Sequence, residues 1–304
     1  MKRTFWLASY PKSGNTWFRI LLANLAHGGE APIDINAIDS TDGIASARRS
    51  FDDHLLISSA LLGHDAVDLL RPALYAHLAE RATERDDQQH MPVRFVKTHD
   101  GYARNSRGEA IMGGARAAAG ALLFVRDPRD VACSFAHHFH VSLDHAIATM
   151  GQADHCFFGT PSTQWPQLRH RTFGWSGFAG SWIDQQDIPV HVIRYEDLTA
   201  APHETVAAAL GFVGWQLSLA AIDRAIDAAA IDKLQHQEAE HGFAESSQRA
   251  RRFFRKGIAG GWRDELSAAQ IAKIEQDHWP MMQRFTYMLN GPTTVADSRG
   301  LNGQ

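Results

Sequence analysis

Short apolar runs recur along the chain, each bounded by polar or turn-forming positions and each lying near a stretch with helical spacing. The first run, 5–9, gives way to a turn and then to 16–25, where Trp17, Ile20, Leu21 and Leu25 share one helical face. Residues 93–98 make the second run and 121–125 the third. Arg126, Asp127 and Pro128 come next; Asp127 suits an N-cap and Pro128 the first helical position, so a helix is predicted to begin there. The fourth run, 190–195, follows Trp175, Phe178, Ala179 and Trp182 at i, i+3, i+4, i+7 spacing. Short apolar strands alternating with helices predict an α/β fold, a central parallel sheet flanked by helices.

Two long stretches fit this alternation poorly. Residues 27–91 carry Gly28, Gly29, Pro32 and a helical patch at 69–78, and residues 141–170 carry Gly151, Gly159, Pro161 and Pro166 beside Phe157, Phe158 and Trp165. Excursions of that length are commonly binding loops or lids. Both are expected to be ligand-side insertions in one domain spanning 1–290, with the small polar residues 291–304 as a flexible tail. Hydrophobic residues make up 44% of the 304 positions and charged residues 21%, which excludes a disordered or fibrous chain. The net charge of −4 supplies no global basic field for nucleic acid or an anionic membrane, so any anion site must be built locally. Cys133 and Cys156 form neither a disulfide framework nor a zinc spacing. The apolar stretch after Met1, Lys2 and Arg3 is broken by Pro11-Lys12, unlike a secretory signal, and no run approaches the roughly 20 apolar residues of a spanning helix. A cytoplasmic protein is expected.

The strongest local signal is Tyr10-Pro11-Lys12-Ser13-Gly14-Asn15-Thr16-Trp17, after the first predicted strand and opening a helix. A strand–turn–helix gathers free backbone N–H groups and the positive helix end at one point, a ready anion site. Lys12 adds a mobile charge, Gly14 permits close backbone approach, and Ser13, Asn15 and Thr16 add donors. A Walker loop places its lysine after the final glycine; here Lys12 precedes Gly14, which disfavours an ordinary ATPase or GTPase.

Three further segments follow in order: Lys97-Thr98-His99, then Phe124 to Ser134 with Arg126-Asp127-Pro128-Arg129-Asp130 inside it, then Phe254-Arg255-Lys256-Gly257-Ile258-Ala259-Gly260-Gly261-Trp262. Together with the first loop they resemble the PAPS-dependent sulfotransferases of the cytosolic type and their bacterial relatives, over about residues 5–262. The resemblance implies the P-loop NTPase-like sulfotransferase fold. It also implies transfer of a sulfuryl group from 3′-phosphoadenosine 5′-phosphosulfate (PAPS) to a hydroxyl or amine of a small molecule, directly in line, with release of PAP and no metal. Lys12, Ser13, Gly14, Asn15 and Thr16 would hold the 5′-phosphosulfate. Arg126, Ser134, Arg255, Lys256 and Gly257 would hold the 3′-phosphate, the arginine forks suiting paired phosphate contacts. Trp17 and Tyr195 would contact adenine, with Ile231 where many relatives carry an aromatic ring. His99 is implied as general base, with Lys12 and Ser134 stabilising charge on the departing PAP and Lys97 touching the sulfuryl oxygens.

His137, His138 and His140 read as an acceptor-pocket wall with Phe135 and Phe139 rather than a metal site. The basic run Arg249, Arg251, Arg252, Arg255, Lys256, joined to the glycines that follow, reads as part of a cofactor lid at about 240–262. Residues 263–272 lack the Thr-Val dimerisation stretch of some eukaryotic relatives, which leaves the oligomeric state open; Ser267 with Gln270 instead predicts a capping box. A nucleotide kinase and a non-catalytic PAP- or PAPS-binding regulator are the competing readings. The Lys12–Gly14 order disfavours the first and the Lys97-Thr98-His99 segment disfavours the second.

Overall fold

Phe5 and Leu7 point to one face of the first strand and Trp6 and Ala8 to the other, and all four are buried. A strand that is apolar on both faces belongs in the middle of a parallel sheet covered on both sides, and that is where the chain places it. The computed structural model describes residues 2–28, 31–38, 43–81, 91–159, 165–246 and 252–287. Arg249, Arg251 and the 291–304 tail lie outside the described residues.

In chain order the elements are β1 (Arg3–Ser9), α1 (Asn15–Ala26), α2 (Arg48–Leu55), α3 (His64–Arg81), β2 (Val93–Thr98), β3 (Gly120–Val125), α4 (Pro128–Phe139) and α5 (Leu143–Gly151). They continue with β4 (Cys156–Phe157), β5 (His170–Arg171), α6 (Gly174–Ile183), β6 (Val190–Arg194), α7 (Tyr195–Ala200), α8 (Pro202–Val213), α9 (Leu219–Ala228), α10 (Ile231–His241) and α11 (Ala268–Arg284). β2, β1, β3 and β6 form one parallel sheet in that order, Phe5 facing Phe95 on one side and Gly120 on the other. β4 and β5 pair as a separate antiparallel ribbon. The four apolar runs are therefore the four strands of the main sheet; Tyr195, expected at the end of the last, instead opens α7.

One core lies between the sheet and α1, α8, α9 and α10, with Phe18, Leu210, Ile222 and Leu234 packed on Phe5 and Leu122. The other joins Trp6 and Leu123 to Val131 of α4, Met150 of α5, Trp175 and Trp182 of α6, and Met282 of α11. Asp127 caps α4 through the Arg129 N–H with Pro128 in the first turn, and Ser267 with Gln270 closes a reciprocal capping box on α11, both as predicted. The helical patch expected at 69–78 is the central part of α3. Among the described residues no helix is long and apolar enough to cross a membrane.

β1 neighbours β2 on one side and β3 on the other, so the chain leaves β1 at a point where strand order reverses. In an open α/β sheet, ligands collect at the carboxyl ends of strands beside such a point. The loop from Tyr10 to Gly14 follows β1, His99 follows β2, Arg126 follows β3 and Tyr195 follows β6.

Candidate active site

The turn after β1 is bent by two left-handed residues. Gly14 has φ +98° at the N-cap of α1, and a Cβ there would stand 2.8 Å from Cδ2 of Tyr195. Lys12 also has positive φ, at 73°, a conformation that non-glycine residues seldom take. The Asn15 side chain turns inward, donating to the Leu7 carbonyl at 2.9 Å and to Ser9 Oγ at 3.2 Å. It stitches the loop to β1, so the side-chain donor expected to face a ligand is committed to the scaffold. Ser13 Oγ is buried without a partner among the described residues. Ser13, expected to face the ligand, is 1% exposed and is not among the residues that line the cavity. The Lys12 ammonium sits 3.9 Å from the centre of the Phe253 ring. Burial first, and then the nearby charges of Lys97 and Arg126, lower its pKa to about 7.

At the end of β2, His99 Nδ1 lies 2.7 Å from the Ser9 carbonyl oxygen. A carbonyl only accepts, so Nδ1 carries the proton and Nε2 is left as the basic nitrogen. Burial, reinforced by the charge of Lys97, pulls the imidazole down to about 3, so it is neutral across the physiological range. The next residue, Asp100, is buried and pairs with Arg71 of α3 at 2.5 Å, tying the end of β2 to the 27–91 stretch.

The guanidinium of Arg126 stacks 4.2 Å over the Tyr195 ring. It donates to the Lys12 carbonyl at 3.4 Å and to the Ile258 carbonyl at 3.2 Å, while its buried Nε has no partner among the described residues. The Lys12 turn and Arg126, expected at opposite ends of one ligand, are thus in contact through the Lys12 backbone. Arg129 faces away, paired with Asp127 at 2.6 Å and Glu275 at 2.8 Å. Asp130 accepts the Gly260 N–H at 2.6 Å and the Trp262 N–H at 3.0 Å, which clasps the C-terminal glycine-rich segment to α4. From α10, Gln235 donates to the Phe254 and Arg255 carbonyls, and Glu238 accepts the Phe253 and Phe254 N–H groups. Arg255 and Lys256 both pair with Glu265, at 2.6 and 2.9 Å. Gly257 has φ +63° and packs on Ile231, where a Cβ would come within 2.7 Å of Cγ1.

These groups open onto one cavity of about 1070 Å³, lined by Lys12, Gly14, Asn15, Thr16, Trp17, Lys97, His99, Arg126, Ser134, Tyr195, Ile231, Arg255, Lys256 and Gly257. Trp17 donates through Nε1 to the Ala229 carbonyl at 2.8 Å, which sets its ring beside the Ala229–Ile231 corner. The far wall is aromatic: Phe139, Phe157, Phe158, His138 and His170, with Phe139 and Phe157 stacked at 5.7 Å. Phe135 lies behind this wall, 3% exposed, with its ring 4.4 Å from that of Phe139. Of the 141–170 stretch, Phe157, Phe158, Gln167 and His170 reach the cavity while α5 buries Ala146, Ile147 and Met150 in the core. From 27–91 the cavity is reached by Gly43 and Ile44. His138 faces it, whereas His137 and His140 line a separate small hollow and His137 bonds Glu265 at 3.0 Å.

Four functional neighbours escaped the sequence reading: Arg19, Asp130, Glu245 and Glu265. Glu245 accepts from Arg19, Lys97 and Thr16, 148 to 229 residues away in the chain. Asp130 lay within the Phe124–Ser134 segment, Glu245 within the stretch expected as a lid and Glu265 within 263–272, yet none of the three had been given a role.

A family profile described as the sulfotransferase domain matches residues 2–286. No curated protein matches the chain in sequence. Among solved structures, a mouse sulfotransferase complexed with PAP is similar at 14% identity and a TM-score of 0.56, over 93% of this chain and 86% of that one. A retinol dehydratase in complex with androsterone and inactive cofactor PAP aligns at 18% identity and 0.55, covering 92% and 80%. The sulfotransferase domain of a Synechococcus olefin synthase aligns at 14% and 0.51, covering 95% and 96%. At these identities the likeness is one of fold.

Proposed function

Because the chain belongs to the sulfotransferase family, we propose that it transfers the sulfuryl group of PAPS to a hydroxyl of a small apolar molecule, as a single catalytic domain over residues 1–290. The observation that carries this reading is the convergence on one cavity of Lys12, the Arg126–Arg255–Lys256 cluster and His99, with Arg126 only 3.4 Å from the Lys12 carbonyl. PAPS is anionic at both ends, and the donor set fits it: Arg126, which lines the cavity, has an Nε without a partner among the described residues, and Gly14 and Gly257 keep the walls free of side chains.

Lys12, Thr16 and the loop amides at the start of α1 would hold the 5′ end, where the helix terminus also favours negative charge. Arg126, Ser134, Arg255, Lys256 and the Gly257 backbone would hold the 3′-phosphate, Arg255 and Lys256 exchanging Glu265 for phosphate oxygens. The Trp17 ring, Tyr195 and Ile231 supply flat or apolar surface for adenine. Bound PAPS supplies an activated sulfuryl group that the acceptor oxygen attacks in line, PAP leaving. His99 Nε2 takes the acceptor's hydroxyl proton as the new S–O bond forms, its ring fixed by the Ser9 carbonyl. Lys12 and Ser134 stabilise charge on the departing phosphate oxygen, and Lys97 faces the sulfuryl oxygens. The aromatic wall of Phe139, Phe157 and Phe158 matches an apolar acceptor, as do the androsterone and the retinol held in retinol dehydratase structures.

The test is transfer of labelled sulfate from PAPS to a panel of apolar alcohols and phenols. The wild-type chain is expected to label at least one of them, and His99→Ala and Lys12→Ala each to lose at least about 10²-fold in turnover. Near-normal rates in a folded His99→Ala chain would remove the imidazole from the mechanism. PAPS consumption by no acceptor, together with ATP turnover, would replace the reading with a kinase.

A further inference from the structure

Glu245 puts its carboxylate among groups that the proposed function, on which this inference rests, gives to the donor's sulfuryl end. One oxygen lies 2.5 Å from Nη1 of Arg19; the other lies 3.1 Å from Nζ of Lys97 and accepts from Thr16 Oγ1 at 3.4 Å. Arg19 comes from the α1 face buried beneath the phosphate loop, Thr16 from the first turn of the same helix, and Lys97 from β2 two residues before His99. The Arg19 side chain is 4% exposed, that of Lys97 14% and that of Glu245 itself 30%, so this is a built seat for one anion, buried on its cationic side and open to the cavity on the other.

Charge arithmetic explains why an acid is needed there. Lys12, Arg19, Lys97 and Arg126 all line the cavity, and like charges held out of water raise each other's cost. Burial works to raise the Glu245 carboxyl, yet Lys97 and Arg19 outweigh it and hold it down at about 2, so the group is anionic at neutral pH. A carboxylate offers two oxygens in a plane, much like one face of a sulfuryl or phosphate group, and it makes charge-assisted bonds of the same kind. The Lys97 ammonium and the Thr16 hydroxyl cannot serve this carboxylate and an incoming phosphosulfate in the same position.

We infer that Glu245 is an internal surrogate for the donor's sulfuryl group, seated on Lys97, Arg19 and Thr16 in the donor-free enzyme and displaced by PAPS. It is therefore a specificity-determining residue for the donor. It opposes PAPS, which must take Lys97, more than PAP, which has no sulfuryl group to place there. After transfer Lys97 regains an anionic partner from within the chain.

Calorimetric titration of the full chain with PAPS and with PAP tests this, using the wild type and Glu245→Gln. The Gln variant keeps the size of the side chain and removes the competing charge. It is expected to bind PAPS at least about tenfold tighter, the equivalent of one charge-assisted hydrogen bond, with a smaller gain for PAP. Unchanged or weaker PAPS binding by Glu245→Gln, beside normal wild-type binding, would overturn the inference and leave the donor reading standing. A wild-type chain that binds neither nucleotide would overturn both. A second readout needs no variant: in a crystal structure of the wild type with PAPS bound, the Glu245 carboxylate is expected more than 4 Å from Lys97 Nζ. The intact ion pair beside bound PAPS would overturn the surrogate role.

Discussion

Lys12 combines a left-handed backbone, a cation held against the Phe253 ring and a pKa lowered to about 7. Burial disfavours its charged form, and Lys97 and Arg126 add like charge nearby. An anion bound on the loop would reverse that balance and favour the ammonium, so binding should be coupled to proton uptake wherever the free side chain is neutral. Below pH 7 the free lysine is already charged and pH matters little to it. Above pH 7 each step upward requires more protein to take up a proton before the anion is held. PAP affinity is therefore expected to fall at least about tenfold between pH 7 and pH 9, a window in which the phosphates of PAP stay fully ionised. Titration calorimetry at the two pH values measures it, and Lys12→Met is expected to bind weakly at both with a flat profile. A wild-type affinity that holds constant to pH 9 would mean that this lysine stays charged without a ligand.

Helix α4 separates two arginines that look alike in the chain. Arg126 precedes the helix and faces the cavity; Arg129 lies in the first turn with 4% of its side chain exposed, between Asp127 and Glu275 and 4.1 Å from the Trp262 ring. Removing one partner of a buried ion pair leaves an uncompensated charge, which costs about 3–5 kcal/mol. Arg129→Met is expected to lose that much in urea denaturation, whereas Arg126→Met keeps its urea midpoint and loses PAP affinity by at least tenfold. Equal loss of stability in the two variants would show that both arginines are scaffold. Much of this helix was legible beforehand, because caps act over three or four residues: Asp127, Pro128, Ser267 and Gln270 do what their local spacing predicts. The strands were legible for a similar reason, since an apolar run identifies a doubly buried strand wherever it is found. The acids were not. Glu245 and Glu265 acquire meaning only when folding brings them to cations from other elements, and an isolated acid in a polar stretch carries no pattern. Asn15 misled for the converse reason. Its side chain could equally serve a ligand or β1, and only the bend at Gly14 turns it toward Leu7 and Ser9.

At the scale of the whole molecule, folding buries histidines as neutral groups, His170 in the cavity wall and His278 against Trp175. His170 and His278 are each 2% exposed. Burial lowers His170 to about 3, with Arg71 and Lys97 adding to it, and burial lowers His278 to about 4. His278 accepts or donates only through Nδ1 to Ser176, and its Nε2 has no partner among the described residues that could take a proton's hydrogen bond. In the unfolded chain both titrate near 6.5. Between pH 6.5 and about 4 the unfolded state therefore binds more protons than the native state, so stability is full above pH 6.5 and falls as the pH falls. From pH 7.5 to 5.5 each histidine costs about 1.4 kcal/mol, and His99 and His138, depressed in the same direction, steepen the loss. The urea midpoint is expected to drop over that interval by the equivalent of about 3 kcal/mol or more, and His278→Gln to remove one histidine's share without changing the sign. Carboxylates contribute little in this window because their titration lies lower. Equal midpoints at pH 7.5 and 5.5 would mean that these imidazoles find a charged form the folded chain can hold, and that their surroundings are more open to water than the packing implies.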